Sequence, residues 1–283
     1  MGPDIRTSEL TLISIITVCF NAEKFIEQTI ESILSQTYSH IEYVIIDGGS
    51  TDNTVNIIRK YESRLAFWQS QPDRGVSHAF NLGFAATTGQ WLLFLNADDF
   101  FLGPTVVEQM VPHLIQHNEK DIVFGEVILV TRDEKPRSLA LPKIYGSPWR
   151  WEIFRLVNTI PHQASFINRR YLERVGGFDE NFRIAMDYEF FLRGGKKLRA
   201  RQIPIALVGM RVGGLCSPVI HSLNEGRLAQ QQTKALPHGL AWINFFLQVG
   251  RFYLCRIGRK ILDRFAYQIS RADRCTGRSV NKI

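Results

Sequence analysis

Along the first hundred residues, short apolar runs alternate with segments whose apolar positions recur at helical spacing. Leu12–Val18 (LISIITV) is apolar and β-branched almost throughout, which predicts a strand covered on both faces. Phe25, Ile26, Thr29, Ile30, Ile33 and Leu34 then share one helical face, with Glu23, Lys24, Glu27, Gln28 and Glu31 opposite, and Asn21 is placed to cap that helix. Ile41–Ile46 reads as a second strand ended by Asp47-Gly48-Gly49, and Ser50 or Thr51 caps a short helix to about Tyr61. Leu65–Gln69 is a third strand, Pro72–Gly75 turns into another helix, and Trp91–Leu95 is a fourth strand running into Asn96-Ala97-Asp98-Asp99. This order predicts an α/β fold: an open, mostly parallel sheet with helices on both faces and right-handed crossovers.

Beyond residue 104 the pattern is mixed. Pro104–His117 reads as a helix, Asp121–Val130 as one or two strands and 131–160 as irregular chain. Ala164–Arg170 reads as a further strand, and Met186–Lys197 opens as a helix that ends at Gly194-Gly195. Residues 1–104 and 105–239 are expected to form two halves of one domain, with 240–283 a helical C-terminal tail.

Composition narrows the classes. Hydrophobic residues are 45% and charged residues 22% of 283, which excludes a mainly disordered or collagen-like chain. The net charge of +7 is concentrated in residues 240–283, so a nucleic-acid-binding reading of the whole chain is disfavoured. Cys19, Cys216, Cys255 and Cys275 form no CxxC pair, which fits a reducing cytoplasm better than a zinc site or a disulfide framework. The opening MGPDIRTSEL has no basic and apolar leader pattern, and no apolar run reaches the ~20 residues of a membrane span.

In a parallel α/β sheet, ligands bind outside the carboxyl ends of the strands. Four polar clusters fall there: Thr17–Asn21, Asp47–Ser50, Asp73–Gly75 and Asn96–Asp99. Asp98 and Asp99 are adjacent carboxylates after an apolar strand, an arrangement suited to Mn²⁺ or Mg²⁺ bridging to substrate phosphates, although an exposed capping turn has the same look. Asp47 suits either a turn or a hydrogen bond to a base edge. No GxGxxG follows the first strand, and there is no Walker loop and no glycine-rich, arginine-bearing loop. Phosphate neutralisation then falls to a metal.

The strings ITVCFNAEKFIEQTIESILSQTY, YVIIDGGSTDNT, QPDRGVSHAFNLG and GQWLLFLNADD resemble an inverting family 2 glycosyltransferase with the A-type, Rossmann-like nucleotide-sugar fold, and Pro161–Arg193 extends the likeness. The resemblance implies that residues 1–104 bind the donor and 105–239 the acceptor. It implies that Thr17, Phe20 and Asn21 line the nucleoside pocket and that Asp47 bonds the base, with Gly48 and Ser50 shaping the turn. Asp73 and Arg74 would lie near the sugar or diphosphate. The family's Asp-x-Asp falls on Asn96-Ala97-Asp98, its first acid replaced, which leaves Asp98 as the metal ligand and Asp99 as a supporting one. The family's Glu-Asp pair falls on Met186-Asp187, which leaves Asp187 as general base and Glu189 as the weaker substitute. His162 and Glu189 are further candidates for substrate contact, and His162 is also readable as a structural histidine.

The resemblance thus implies metal-assisted single displacement from a nucleoside-diphosphate sugar, uridine-based, to a hydroxyl of a glycan or lipid-linked acceptor. No QxxRW is present, so one sugar per encounter is expected. A sugar nucleotidylyltransferase and a non-catalytic nucleotide-sugar-binding protein are the rivals; the replaced acids at Asn96 and Met186 sustain the second. The segment 240–265 mixes aromatics with Arg256, Lys260 and Arg264, which reads either as a peripheral membrane contact on the cytoplasmic face or as a terminal helix packed on the domain.

Overall fold

The strongest apolar runs become the centre of the sheet. β1 (Ile13–Cys19) is buried at all seven positions and lies between β2 (Ile41–Asp47) and β4 (Trp91–Asn96), both parallel to it. β3 (Phe67–Ser70) adds to β2, also in parallel. Alternation along β1 and β2 divides the core into two layers. Ile13, Ile15, Tyr43 and Ile45 face one layer, while Ile16, Val18, Val44 and Ile46 face the other. The computed structural model describes residues 11–130, 149–211 and 219–255. Most of the irregular stretch expected over 131–160, and the tail beyond 255, therefore lie outside the described residues.

Helices cover both faces. α1 (Ile26–Leu34) buries Ile26, Thr29, Ile30 and Ile33, the face its periodicity predicts. α3 (Val76–Ala85) approaches β1 closely: a Cβ on Gly83 would lie 2.3 Å from Ile16 Cγ2, so only glycine permits this packing. The remaining early helices are α2 (Thr54–Arg59) and α4 (Val106–Gln116).

The sheet has eight strands in the order β3-β2-β1-β4-β7-β6-β8-β5, and parallel pairing is interrupted after β4. β7 (Ser165–Asn168) runs antiparallel to β4, with Leu92 opposite Ile167 and Trp91 opposite Asn168. The chain enters β7 through a 3₁₀ turn, His162–Ala164, so it joins the sheet from the carboxyl end of β4. β6 (Ile122–Val130) pairs antiparallel with β7 and parallel with β8 (Ala200–Arg211), a twelve-residue strand that the apolar pattern did not announce. β5 (Phe100–Phe101) follows β4 after three residues yet pairs with β8 at the far end of the order, so the sheet curls.

α5 (Trp151–Phe154) precedes β7, α6 (Arg169–Val175) and α7 (Met186–Leu192) lie between β7 and β8, and α8 (Val219–Gln232) follows β8. Met1–Leu236 form one compact unit and Pro237–Ile283 a second. The described part of the second unit is a helix over residues 238–255. No helix among the described residues is long and apolar enough to cross a membrane.

Candidate active site

Cys19, Asp47 and Ser70 end β1, β2 and β3 in register, and Asn96 ends β4 beside Val18. The polar clusters of the sequence therefore converge on one edge. The loops after β1 and β2 are laced together there: Asn21 N donates to Ser50 Oγ at 2.7 Å, and Thr51 N donates to Asn21 Oδ1 at 2.9 Å. Asn21 adopts φ +49°, a left-handed conformation that asparagine tolerates because its side chain bonds locally. The tight lacing leaves Phe20 outside, 63% exposed at the rim of the crevice.

Two residues expected to face a nucleoside are instead interior. Thr17 is fully buried in β1, where its Oγ1 accepts from Tyr43 Oη at 3.1 Å. Asp47 is also fully buried. Its Oδ2 accepts from Gly49 N, Ser50 N and Ser70 Oγ at 3.1, 2.9 and 2.6 Å, and its Oδ1 from Ser50 Oγ and the Cys19 thiol. A buried carboxylate needs such donors, so here Asp47 builds the wall of the crevice, and a bond to a base would require this turn to open. Gly48 is the neighbour that lets Asp73 approach, since a Cβ there would lie 2.6 Å from Asp73 Oδ2. Asp73 in turn accepts from Gly75 N at 2.7 Å. Arg74 is exposed and engaged by both carboxylate oxygens of Glu180, at 2.7 and 2.9 Å.

The turn after β4 is braced from beneath. Thr29 Oγ1, on α1, lies 2.8 Å from Ala97 O and 2.7 Å from Asp99 O. Arg211, at the end of β8, is 5% exposed between the rings of Phe25 and Phe100. Its guanidinium donates to Asp98 O at 2.5 Å and to Gln28 Oε1, and its backbone N donates to Asp99 Oδ1 at 3.1 Å. The other Asp99 oxygen accepts from Asn96 Nδ2 at 3.3 Å. With 1% exposure, Asp99, expected as a supporting metal ligand, points into this brace. Burial, with the neighbouring Asp98 charge, pushes its carboxyl well above the ordinary range.

Asp98 is half-buried and supplies the carboxylate of the turn. No group of three or more His, Cys, Asp or Glu side chains suited to a metal is present among the described residues. One carboxylate at a strand end still fits Mn²⁺ or Mg²⁺, which are commonly held by one or two carboxylates together with substrate phosphates.

Asp187 lies in the first turn of α7. Its Oδ2 accepts from Asn158 Nδ2 at 3.0 Å and lies 3.2 Å from His162 Nδ1. The other ring nitrogen, Nε2, lies 3.5 Å from Asn96 Nδ2, so a single imidazole spans the distance between α7 and the turn after β4. Glu225 of α8 fixes the approach to α7: its Oε2 accepts from Arg183 N, Ile184 N and Ala185 N at 3.1, 2.8 and 2.9 Å. Glu189 is 1% exposed and lies 2.9 Å from Arg193 Nη2, one helical turn on, so it is held in an interior ion pair. Burial, opposed by Arg193, raises its carboxyl above the ordinary value.

Sequence reading missed Ser70, Asn158, Glu225 and Arg211. Each acts on a partner at least 23 residues away, and no local spacing marks such a pair. A hollow of about 440 Å³ lies beside the approach to α7, lined by Asn181, Phe182, Glu225, Leu228, Gln231 and Gln232. It has none of the strand-end carboxylates, and the chemistry is better placed at the sheet edge.

A family model described as glycosyl transferase family 2 matches residues 14–176. An uncharacterized glycosyltransferase of Mycobacterium tuberculosis is 35% identical over 186 residues, covering 64% of this chain and 68% of its own. A PGL/p-HBAD biosynthesis glycosyltransferase of Mycobacterium bovis is 29% identical over 185 residues, with 64% and 69% covered. Among solved structures, S. aureus TarS 1-349 in complex with UDP superposes with a TM-score of 0.60 at 17% identity, over 81% of this chain and 68% of that one. Mannosyltransferase PcManGT from Pyrobaculum calidifontis, in complex with GDP-Man and Mn²⁺, gives 0.59 at 16%, over 90% and 81%. These two likenesses bear on the fold.

Proposed function

The chain belongs to glycosyl transferase family 2, and on that premise we propose that it moves a sugar from a nucleoside-diphosphate donor, uridine-based, to a hydroxyl of a glycan or lipid-linked acceptor, with inversion. The observation that carries this reading is the link from Asp187 through His162 to the Asn96–Asp99 turn, at the strand ends where ligands bind such sheets. Asp187 takes the proton of the acceptor hydroxyl, whose oxygen attacks the anomeric carbon from the side opposite the diphosphate. The bond to the acceptor oxygen forms as the bond to the diphosphate oxygen breaks, and its electron pair leaves with the nucleoside diphosphate. Mn²⁺ or Mg²⁺ held by Asp98 and the donor phosphates would supply neutralisation of that leaving charge. Phe20 offers an exposed ring for the nucleobase, and residues 1–104 serve the donor and 105–239 the acceptor. Complexes of TarS with UDP and UDP-GlcNAc and of PcManGT with GDP-Man support a nucleotide-sugar donor, and the PGL/p-HBAD biosynthesis relative supports a glycolipid acceptor.

The test is thermal stabilisation by UDP, GDP, CDP and TDP with and without Mn²⁺, followed by transfer from the sugar nucleotide that binds. A ligand at a hundredfold its Kd adds roughly 2.7 kcal/mol, which is visible as a melting shift. Asp98→Ala should abolish the Mn²⁺-dependent part of the shift, and Asp187→Ala should bind donor but not transfer. Undiminished transfer by Asp187→Ala would remove the mechanism. Flat melting curves throughout would favour a non-catalytic protein.

The helix over 238–255 supports a peripheral site at the cytoplasmic membrane face. Leu240, Ile243, Leu247 and Leu254 recur on one side of it and are 51%, 56%, 67% and 71% exposed, with Phe246 alongside at 63%. The chain beyond it, 256–283, carries eight Lys or Arg against two Asp. Exposed apolar residues followed by cations suit an anionic bilayer. Sedimentation with phosphatidylglycerol vesicles should exceed that with phosphatidylcholine vesicles and weaken in Phe246→Ser/Leu247→Ser; equal recovery with and without vesicles would sink the idea.

A further inference from the structure

His162 lies between two side chains of opposite hydrogen-bonding character. On its Nδ1 side, Asp187 Oδ2 lies at 3.2 Å; on its Nε2 side, Asn96 Nδ2 lies at 3.5 Å. An amide nitrogen has two hydrogens to give and no lone pair to receive with. One of the two is directed at Asp99 Oδ2, 3.3 Å away, and the other is left for the imidazole. The Asp187 carboxylate has no hydrogen to give, so the ring proton belongs on Nδ1, which leaves Nε2 of the neutral imidazole to accept from Asn96.

We infer that Asn96 and His162 are positioning residues for Asp187: the Asn96 amide makes Nε2 the accepting nitrogen, so the ring proton resides on Nδ1 and is given to Asp187. All hydrogen bonds in the row then run one way, from Asn96 to His162 to Asp187. Asn158 Nδ2 and Tyr188 N add two more donors, at 3.0 and 2.7 Å, so three donors meet Asp187 among the described residues. Phe80 packs edge-on against the imidazole at 6.1 Å between centroids, which limits the ring's freedom to turn. The catalytic consequence rests on Asp187 being the proton acceptor, whereas the direction of the hydrogen bonds does not.

The two are separable by experiment. In ¹⁵N-histidine-labelled protein, the His162 resonances, identified by their loss in His162→Gln, should show Nδ1 protonated and Nε2 bare near neutral pH. Asn96→Asp replaces the donor with an acceptor and should bring a proton onto Nε2. A protonated Nε2 in the wild-type protein, or no change of tautomer or protonation in Asn96→Asp, would overturn the inference. In the transfer assay, His162→Asn keeps an N–H near the Nδ1 position and should retain more kcat than His162→Gln, which lacks it. If the tautomer is as stated but Asp187→Asn transfers normally, the base assignment fails and the hydrogen-bond row stands.

Discussion

Removing the Glu225 carboxylate should loosen the approach to α7 without touching any residue at the reaction centre. One oxygen of Glu225 accepts from three consecutive backbone N–H groups, at 2.8 to 3.1 Å, and these belong to the residues just before Met186 and Asp187. Hydrogen bonds to a charged acceptor contribute about 1.5–3 kcal/mol each. Arg183 is exposed, so water can replace its bond; Ala185 is buried, and its N–H would be left without a partner. Glu225 is itself half-buried, so water can also enter part of the space left by Glu225→Ala. The expected cost is therefore about 2–3 kcal/mol rather than the full sum. For a domain of this size that corresponds to a fall in Tm of roughly 4–12 °C. Urea unfolding gives the energy, and steady-state transfer gives the second readout: kcat should fall with Asp187 less firmly placed, while the donor KM holds. Glu225→Gln retains an acceptor and should lose about half as much. Glu225→Ala with wild-type stability and wild-type kcat would refute the view that this carboxylate holds the start of α7.

Arg211→Lys should destabilise by roughly 3 kcal/mol or more, because an ammonium cannot bridge Asp98 O and Gln28 while stacking between Phe25 and Phe100; an unchanged urea midpoint would contradict this. Glu189 supplies a pH signature. Its folded-state value is raised by burial, so the folded chain holds that proton more tightly than the unfolded one. Its contribution is full below the ordinary glutamate range and declines as pH rises through the raised value. Glu189→Gln should flatten that decline when urea midpoints are compared from about pH 4 to 7, and an unchanged slope would rule the group out as its source.

The parallel half of the sheet was legible because its signals are local. β1, β2 and β4 are unbroken apolar runs, and α1 carries its buried face at i, i+3, i+4 and i+7. β8 was illegible because Pro204 and Gly209 break its pattern. Gly209 is needed where Phe100 packs, since a Cβ there would lie 2.6 Å from that ring, and Phe100 is 109 positions earlier in the chain. The strand-end clusters do share one edge of the sheet, yet which carboxylate faces outward was not readable. Asp47, Asp98 and Asp99 differ in what lies behind them: Ser70 for the first, the Arg211 guanidinium and backbone for the others. Those partners come from other strands.

The curl of the sheet also fixes when, during synthesis, the donor edge can come together. Asp98 and Asp99 are held by a residue 112 to 113 positions further along the chain, and Gln28 meets the same arginine across 183. A nascent chain that has released only its first hundred residues has every strand end of the parallel half but no Arg211 to set the acidic turn. Contacts of such separation form late. A chain terminated before β8 would therefore retain most of the residues that mark the family and lack the ordered turn on which their proposed chemistry depends. The acidic turn is in this sense set only once Arg211 has been made, more than a hundred residues after the strand that the turn terminates.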